Sequence, residues 1–194
     1  MRRGRADDHL IRGALKRVVL VAPEFVPKNA AGVMRTRFLA SHLAHYGWQP
    51  VVLTLREEDY EGGVDPRSAS LLPSGLRVER VPAWPARLCR PLGLGDVALR
   101  GQWSLRRKLA RLIQQGEVDL VFVTVLPGHA SLVGAWAKQK FSLPFVLDYQ
   151  DPWVIKSGAQ QSPWSKAGLA HRLAAWLEPG VARQADRKST RLNS

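Results

Sequence analysis

Asp148 and Asp151 stand three residues apart at the end of the apolar run Phe145-Val146-Leu147, with Gln150 between them. Two carboxylates on such an extended-to-turn segment converge at the end of a strand, where they suit general-base work or a grip on ligand hydroxyls. Asp151 also precedes Pro152, and as a turn or helix cap it would be structural. His129 follows a second apolar run, Val118 to Val125, by a few residues. An imidazole placed there could shuttle a proton or bind a hydroxyl; it could equally be a structural hydrogen-bonding group beside a helix start. Gly32 and Arg35 follow a third apolar run and its proline-containing loop. Free backbone N–H groups at a helix start favour an anion, and Arg35, one turn in, would add a charge-assisted contact to phosphate. The alternative for Arg35 is a surface arginine on a helix start. His42, His45 and His171 read as structural; only His42 and His45 have metal-ligand spacing, a weak signal. The chain lacks G-x-G-x-x-G, Gly-Lys-Ser/Thr after a strand, a Ser/His/Asp set and a Cys/His pair.

The elements that must position these groups alternate. Arg17 to Ala22 is a continuous β-branched run ended by Pro23, the pattern of a strand buried on both faces. A helix follows the loop, with Met34 and Phe38 on one apolar stripe and Leu39, Leu43 and Tyr46 on its neighbour, and Gly47 at its C-terminal end. Val51 to Leu55 is a second strand, completing a βαβ unit with a right-handed crossover. Residues 56–75 read as loop, Leu76 to Val81 as a third strand, and 82–95, with three prolines, as irregular. Leu99 to Gln115 is a helix with Leu105, Leu109, Leu112 and Ile113 on one face. Val118 to Val125 is a fourth strand, His129 to Phe141 a helix, and Pro144 to Leu147 the start of a fifth strand. Ser165 to Ala185 is a last helix, with Leu169, Leu173, Trp176 and Leu177 in register and a kink expected at Pro179. This alternation predicts an α/β, doubly wound, mostly parallel, Rossmann-like sheet over residues 17–185, preceded by a basic extension at 1–16. Ligands of such sheets lie beyond the carboxyl ends of the strands, where Gly32, Arg35, His129, Asp148, Gln150 and Asp151 all fall.

The 194 residues suffice for one domain with a full core, and 45% apolar content argues against general disorder. The single cysteine, Cys89, forms no internal disulfide and reads as a bystander thiol in a reducing compartment. No run approaches the length of a membrane span, and Val18 to Ala22 is too short for a signal peptide, so a cytoplasmic location is expected. The net charge is +13, and from Arg77 to Arg111 nine Lys/Arg against Glu79 and Asp96 leave +7 in 35 residues. That stretch could face nucleic acid, an anionic membrane or a phosphorylated substrate. The glycine and aromatic motifs of common RNA modules are missing, so no nucleic-acid partner is expected.

The last nine residues, Asp186 to Ser194, break the preceding pattern and resemble the in-frame translation of a common sequencing adaptor. They are expected to be a non-native tail outside the fold, with the natural protein continuing beyond Ala185.

The ordered set of segments resembles the amino-terminal domain of the family-4 glycosyltransferases, of the retaining GT-B type. The resemblance rests on Arg17-Val18-Val19-Leu20-Val21 and its Pro-containing loop, on Gly32-Val33-Met34-Arg35-Thr36, and on Leu43-Ala44-His45-Tyr46-Gly47-Trp48-Gln49-Pro50-Val51-Val52-Leu53-Thr54. Phe145 to Trp153 resembles the family's D-x-R-D-P-W, and Glu178 to Asp186 its "E…AD" helix end. Gln150 departs from the pattern, standing where the family usually has arginine and removing a charge. The resemblance implies transfer of a sugar from a nucleotide-sugar co-substrate, with no other cofactor, to a glycan or lipid-linked acceptor, as in polysaccharide biosynthesis. It places Gly32 toward the donor phosphates and acceptor, His129 near the transferred sugar, and Asp148 and Asp151 on the acceptor side. It also implies a carboxy-terminal domain, absent here, that holds most of the donor, and hence a fragment inactive alone. Acceptors of this kind make the basic, Trp-bearing stretch from Trp84 to Arg111 a candidate peripheral membrane surface. The competing reading is a non-catalytic α/β binding module using that surface on nucleic acid or anionic membrane.

Overall fold

The computed structural model describes residues 15–151, 153–154 and 165–190. Along the chain the regular elements are β1 (Lys16–Val21), α1 (Ala31–His42), β2 (Trp48–Leu55), β3 (Arg77–Val81), α2 (Ala86–Cys89), α3 (Val97–Gln114), β4 (Leu120–Thr124), α4 (Ser131–Phe141), β5 (Phe145–Tyr149), α5 (Lys166–Gln184) and β6 (Arg187–Thr190). The six strands form one sheet in the order β3-β2-β1-β4-β5-β6, and every pairing is parallel. The chain therefore builds outward from β1 to one edge, crosses back through α3, and builds outward again from β4. The loops after β1 and β4 diverge at this reversal and leave a crevice beyond the strand ends.

The apolar runs are continuous because both faces of the sheet are covered. Along β1, Val19 and Val21 point to one side, where Leu53, Val121 and Leu147 meet Leu105 and Leu109 of α3 and Val133 of α4. Val18 and Leu20 point to the other, packing with Val52, Phe25, Val33 of α1 and Ala40. The period of two within the apolar run Val18–Val21 fills two separate cores from one segment.

Three expectations change. In α1 the face against the sheet is Gly32, Val33, Thr36 and Ala40, whereas Met34, Phe38 and Tyr46 are exposed. Small side chains let the helix sit close to the strands, and the Thr36 hydroxyl meets that of Thr124 at 2.8 Å. Met34, Phe38, Leu43 and Tyr46 instead line an open groove of about 740 Å³ with Phe122, reaching Arg35 and Asp148 at its upper end. The same inversion holds in α5, where Ala174 and Val181 are buried while Leu169, Leu173 and Trp176 face outward. Pro179 lies within this helix.

The third change concerns the tail. Arg187–Thr190 is a strand, pairing with β5 from Val146↔Arg187 to Tyr149↔Thr190, so the first half of the segment set aside as non-native completes the sheet. Parallel pairing uses backbone groups, and a short polar, charged segment is well suited to an exposed edge. Asp186 locks the junction, its carboxylate accepting from Lys138 Nζ at 2.7 Å and from the Phe145 N–H at 2.9 Å. The Lys138 and Phe145 hydrogen bonds hold the Asp186 carboxyl below its ordinary range. Residues 191–194 and most of the basic extension, 1–14, lie outside the described residues.

Candidate functional site

The loop after β1 carries Pro23 to Ala30 to the first turn of α1, which begins on Ala30 without a side-chain cap. A short turn, Gly128–Ala130, follows β4 before α4 begins. β5 ends in Asp148 and Tyr149, with Gln150 and Asp151 just beyond. All three segments leave the same edge of the sheet, as its parallel order requires.

Gly32 sits where these segments close on one another. A Cβ built on it would lie 2.7 Å from Leu126 Cδ2 and 3.6 Å from the Gln150 amide. The absent side chain is what lets α1 approach the post-β4 loop. Gln150 Nε2 donates to the Gly32 carbonyl at 3.3 Å, so the residue that departs from the arginine pattern ties the β5 loop to α1. Arg35, one turn further, makes an ion pair with Asp148 at 2.7 Å. The carboxylate is fully buried, and the arginine side chain is 35% exposed. The expected free cation for phosphate is therefore partly neutralised by a residue distant in sequence. Beside it, burial and the negative charge of Glu178 push the Tyr149 hydroxyl up to about 12.

Asp148 and Asp151 stand in different surroundings. Asp148 is enclosed and engaged with Arg35, while Asp151 is exposed beyond the strand end. Asp151 forms no ion pair or hydrogen bond among the described residues.

His129 is 8% exposed. Its Nδ1 lies 3.0 Å from Asp96 Oδ2, and Gln102 Nε2 donates to its carbonyl at 2.8 Å. Asp96 caps α3, its Oδ1 accepting the Leu99 N–H at 3.0 Å. The indole of Trp153 meets the imidazole edge-on, with ring centroids 5.1 Å apart, and lies against Gly128 where any side chain would collide with it. Sequence reading missed Asp96 because it lies 33 residues from His129, between the irregular 82–95 stretch and the helix read from Leu99.

The basic stretch is largely compensated. Arg77 pairs with Glu79 and Glu117, Arg80 with Glu57, Arg90 with Glu61, and Lys108 with Glu79. Arg100 is 4% exposed and donates to the carbonyls of Trp84, Gly95 and Asp59, clipping the 82–96 segment to the body of the domain. Arg106 donates to the Leu132 carbonyl, and its burial lowers its affinity for a proton. Among the described residues, Arg87, Arg107 and Arg111 carry no ion pair. Much of the local sum of +7 is thus offset by Glu57, Glu61, Glu79 and Glu117. No helix among the described residues is long and apolar enough to cross a membrane.

The family model described as a glycosyl transferase 4-like domain matches residues 32–190. The chain belongs to the glycosyltransferase 4-like family. Its matched region runs from the first turn of α1 through β6, taking in Gly32, Arg35, His129 and Asp148. No curated protein matches the chain. Among solved structures, a ugt transferase from Siraitia grosvenorii in complex with UDP shares 17% identity at a TM-score of 0.52, over 86% of this chain and 42% of that one. Phytolacca americana UGT2, complexed with UDP-2fluoro-glucose and pterostilbene, shares 15% identity at 0.49, over 73% and 32%. The spinosyn rhamnosyltransferase SpnG shares 14% at 0.44, over 87% and 41%. The first likeness supports the α/β, Rossmann-like fold. The chain spans 32% to 42% of the length of these structures.

Proposed function

We propose that this glycosyltransferase 4-like domain is the acceptor-side half of an enzyme that moves a sugar from a nucleotide sugar to a glycan or lipid-linked acceptor. The observation that carries the reading is the meeting, at the carboxyl ends of β1, β4 and β5, of the Gly32–Gln150 contact, the Arg35–Asp148 pair and the His129 turn, within a domain of that family. In this reading Gly32 and Gln150 shape the floor on which the substrates meet. Arg35, held by Asp148, offers the exposed part of its guanidinium to an anionic substrate group. His129 faces the transferred sugar, and Asp151, exposed at the rim, faces the acceptor. UDP in the Siraitia grosvenorii structure supports a nucleotide-linked donor. A second domain would supply most of the donor contacts, so the 194-residue chain alone would be inactive. A cytoplasmic location, with peripheral contact at the membrane, accompanies a lipid-linked acceptor.

The test compares this chain with a longer protein carrying a second Rossmann-like domain. Each would be offered a panel of nucleotide sugars, and release of the nucleoside diphosphate followed. Turnover by the longer protein, reduced at least tenfold by Arg35→Met or His129→Ala, is the expected result. Turnover by the short chain alone would overturn the half-enzyme reading, and none by the longer protein with any donor would overturn the transferase reading.

A further inference from the structure

A histidine between a carboxylate and an unpartnered nitrogen has only one of its two ring nitrogens left for a ligand. His129 Nδ1 is taken by Asp96 at 3.0 Å, while its Nε2 is buried and has no hydrogen-bond partner among the described residues. Asp96 is itself fixed, because its second oxygen accepts the Leu99 N–H at the start of the 18-residue helix α3. The His129 backbone is held by the same helix through Gln102. His129 is thus held from α3 at both its ring and its backbone carbonyl.

A carboxylate only accepts hydrogen bonds. In the neutral ring, Nδ1 must then carry the proton and Nε2 must present a lone pair. We propose that Asp96 is a positioning residue that fixes His129 as the Nδ1–H form, so that Nε2 accepts a hydrogen bond from a substrate hydroxyl. This rests on the glycosyl-transfer reading for the identity of that hydroxyl, one on the transferred sugar or its acceptor. The orientation itself does not. Trp153 meets the imidazole edge-on, with ring centroids 5.1 Å apart.

Asparagine at position 96 separates orientation from folding. Asn caps a helix about as well as Asp, with its carbonyl oxygen accepting the Leu99 N–H. The group left to face His129 is then the amide NH₂, a donor, which drives the ring proton to Nε2. The measurement is the long-range proton–nitrogen correlation spectrum of the full chain labelled with nitrogen-15 histidine. It is taken near pH 8.5, above the ordinary imidazole range of about 6.5, and the His129 signals are assigned by their loss in His129→Gln. Wild type is expected to show Nδ1 protonated, Asp96→Asn to show Nε2 protonated, and Asp96→Ser, which keeps a cap but loses the contact, a mixture. A wild-type proton on Nε2 would overturn the proposal, and so would an Asn variant that leaves it on Nδ1. In the longer, two-domain protein, Asp96→Asn should lower kcat about 10-fold to 100-fold while the donor KM stays within about twofold. A flipped tautomer with unchanged kcat would overturn the catalytic half of the proposal. An inactive wild type would instead overturn the glycosyl-transfer reading and leave the tautomer result standing.

Discussion

Arg35 and Asp148 meet at 2.7 Å, joining the first turn of α1 to the end of β5 across 113 positions of sequence. The pair closes the upper end of the groove beside α1, and its acidic partner is fully buried. Removing the cation strands a buried carboxylate, whereas removing the carboxylate leaves an arginine that can turn to water. Arg35→Met is therefore expected to cost about 2–3 kcal/mol, below the roughly 3–5 for a fully buried pair because the arginine is partly exposed. Asp148→Asn should cost about 1 kcal/mol, and the double variant should recover part of the Arg35→Met loss. Urea unfolding of the four proteins measures this. Equal, small losses for both single variants would show that the pair is not an anchor.

Two glycines test which close approaches are rigid. A Cβ on Gly134 would lie 2.5 Å from Phe145 Cδ2 and 3.0 Å from Val123 Cγ2, both in fully buried side chains. Gly134→Ala is expected to destabilise by about 1–2 kcal/mol, overpacking outweighing a helix-propensity gain of up to about 1. The corresponding contact at Gly32 is the end of Leu126, which is 39% exposed and free to shift. Gly32→Ala should stay within about 1 kcal/mol of wild type while shifting Leu126 and Gln150 at the site. Thermal unfolding decides between them, and a more damaging Gly32→Ala would contradict the assignment.

Glu79 joins β3 to α3 by accepting from Arg77 and from Lys108 at 2.7 Å. Partial burial raises its carboxyl pKa, but the Lys108 and Arg77 hydrogen bonds outweigh this and hold it below the ordinary glutamate value of 4.5. A carboxyl with a lowered folded-state pKa contributes stability that is complete above 4.5 and disappears as pH falls through the folded value. Glu79→Gln should therefore be less stable than wild type at pH 7, with the difference shrinking below about pH 4. Urea midpoints across pH 3–7 give the curve; a gap that widens with acid would reverse the sign.

Peripheral membrane contact, if it belongs to this domain, must use the groups that the ion pairs leave available. Trp84, Leu88, Leu94 and Trp103 are exposed, and the Arg107 guanidinium stacks over the Trp103 ring at 5.0 Å. Charge reversal at Arg106 or Lys108 would disturb packing and the Glu79 pair, so Arg87, Arg107 and Arg111 are the informative positions. Wild type should float with vesicles containing anionic lipid at low salt, and the triple Arg→Glu variant should not. Failure of wild type to bind at any salt concentration would remove the membrane reading.

The sequence by itself determined the alternation of apolar runs and helical segments, and with it the parallel sheet and the edge at which ligands collect. Those features follow from local composition: a strand buried on both faces must be continuously apolar, and parallel strands must be joined by crossovers. It also placed Gly32, Arg35, His129 and Gln150 past strand ends, where the structure has them, but it ended the fifth strand too early, because Asp148 lies within β5 and pairs with both neighbouring strands. The tertiary structure decided which face of each helix is inside. Met34 and Phe38 fit helical periodicity as well as Val33 and Ala40 do, and only the distance to the sheet selects the smaller set. It also decided the fate of the polar segment at 187–190, because backbone pairing at an edge leaves no apolar signature. And it decided the partners of the charged groups, Asp148 for Arg35 and Asp96 for His129. Sequence spacing cannot reveal contacts that depend on how separate loops converge at the reversal of strand order.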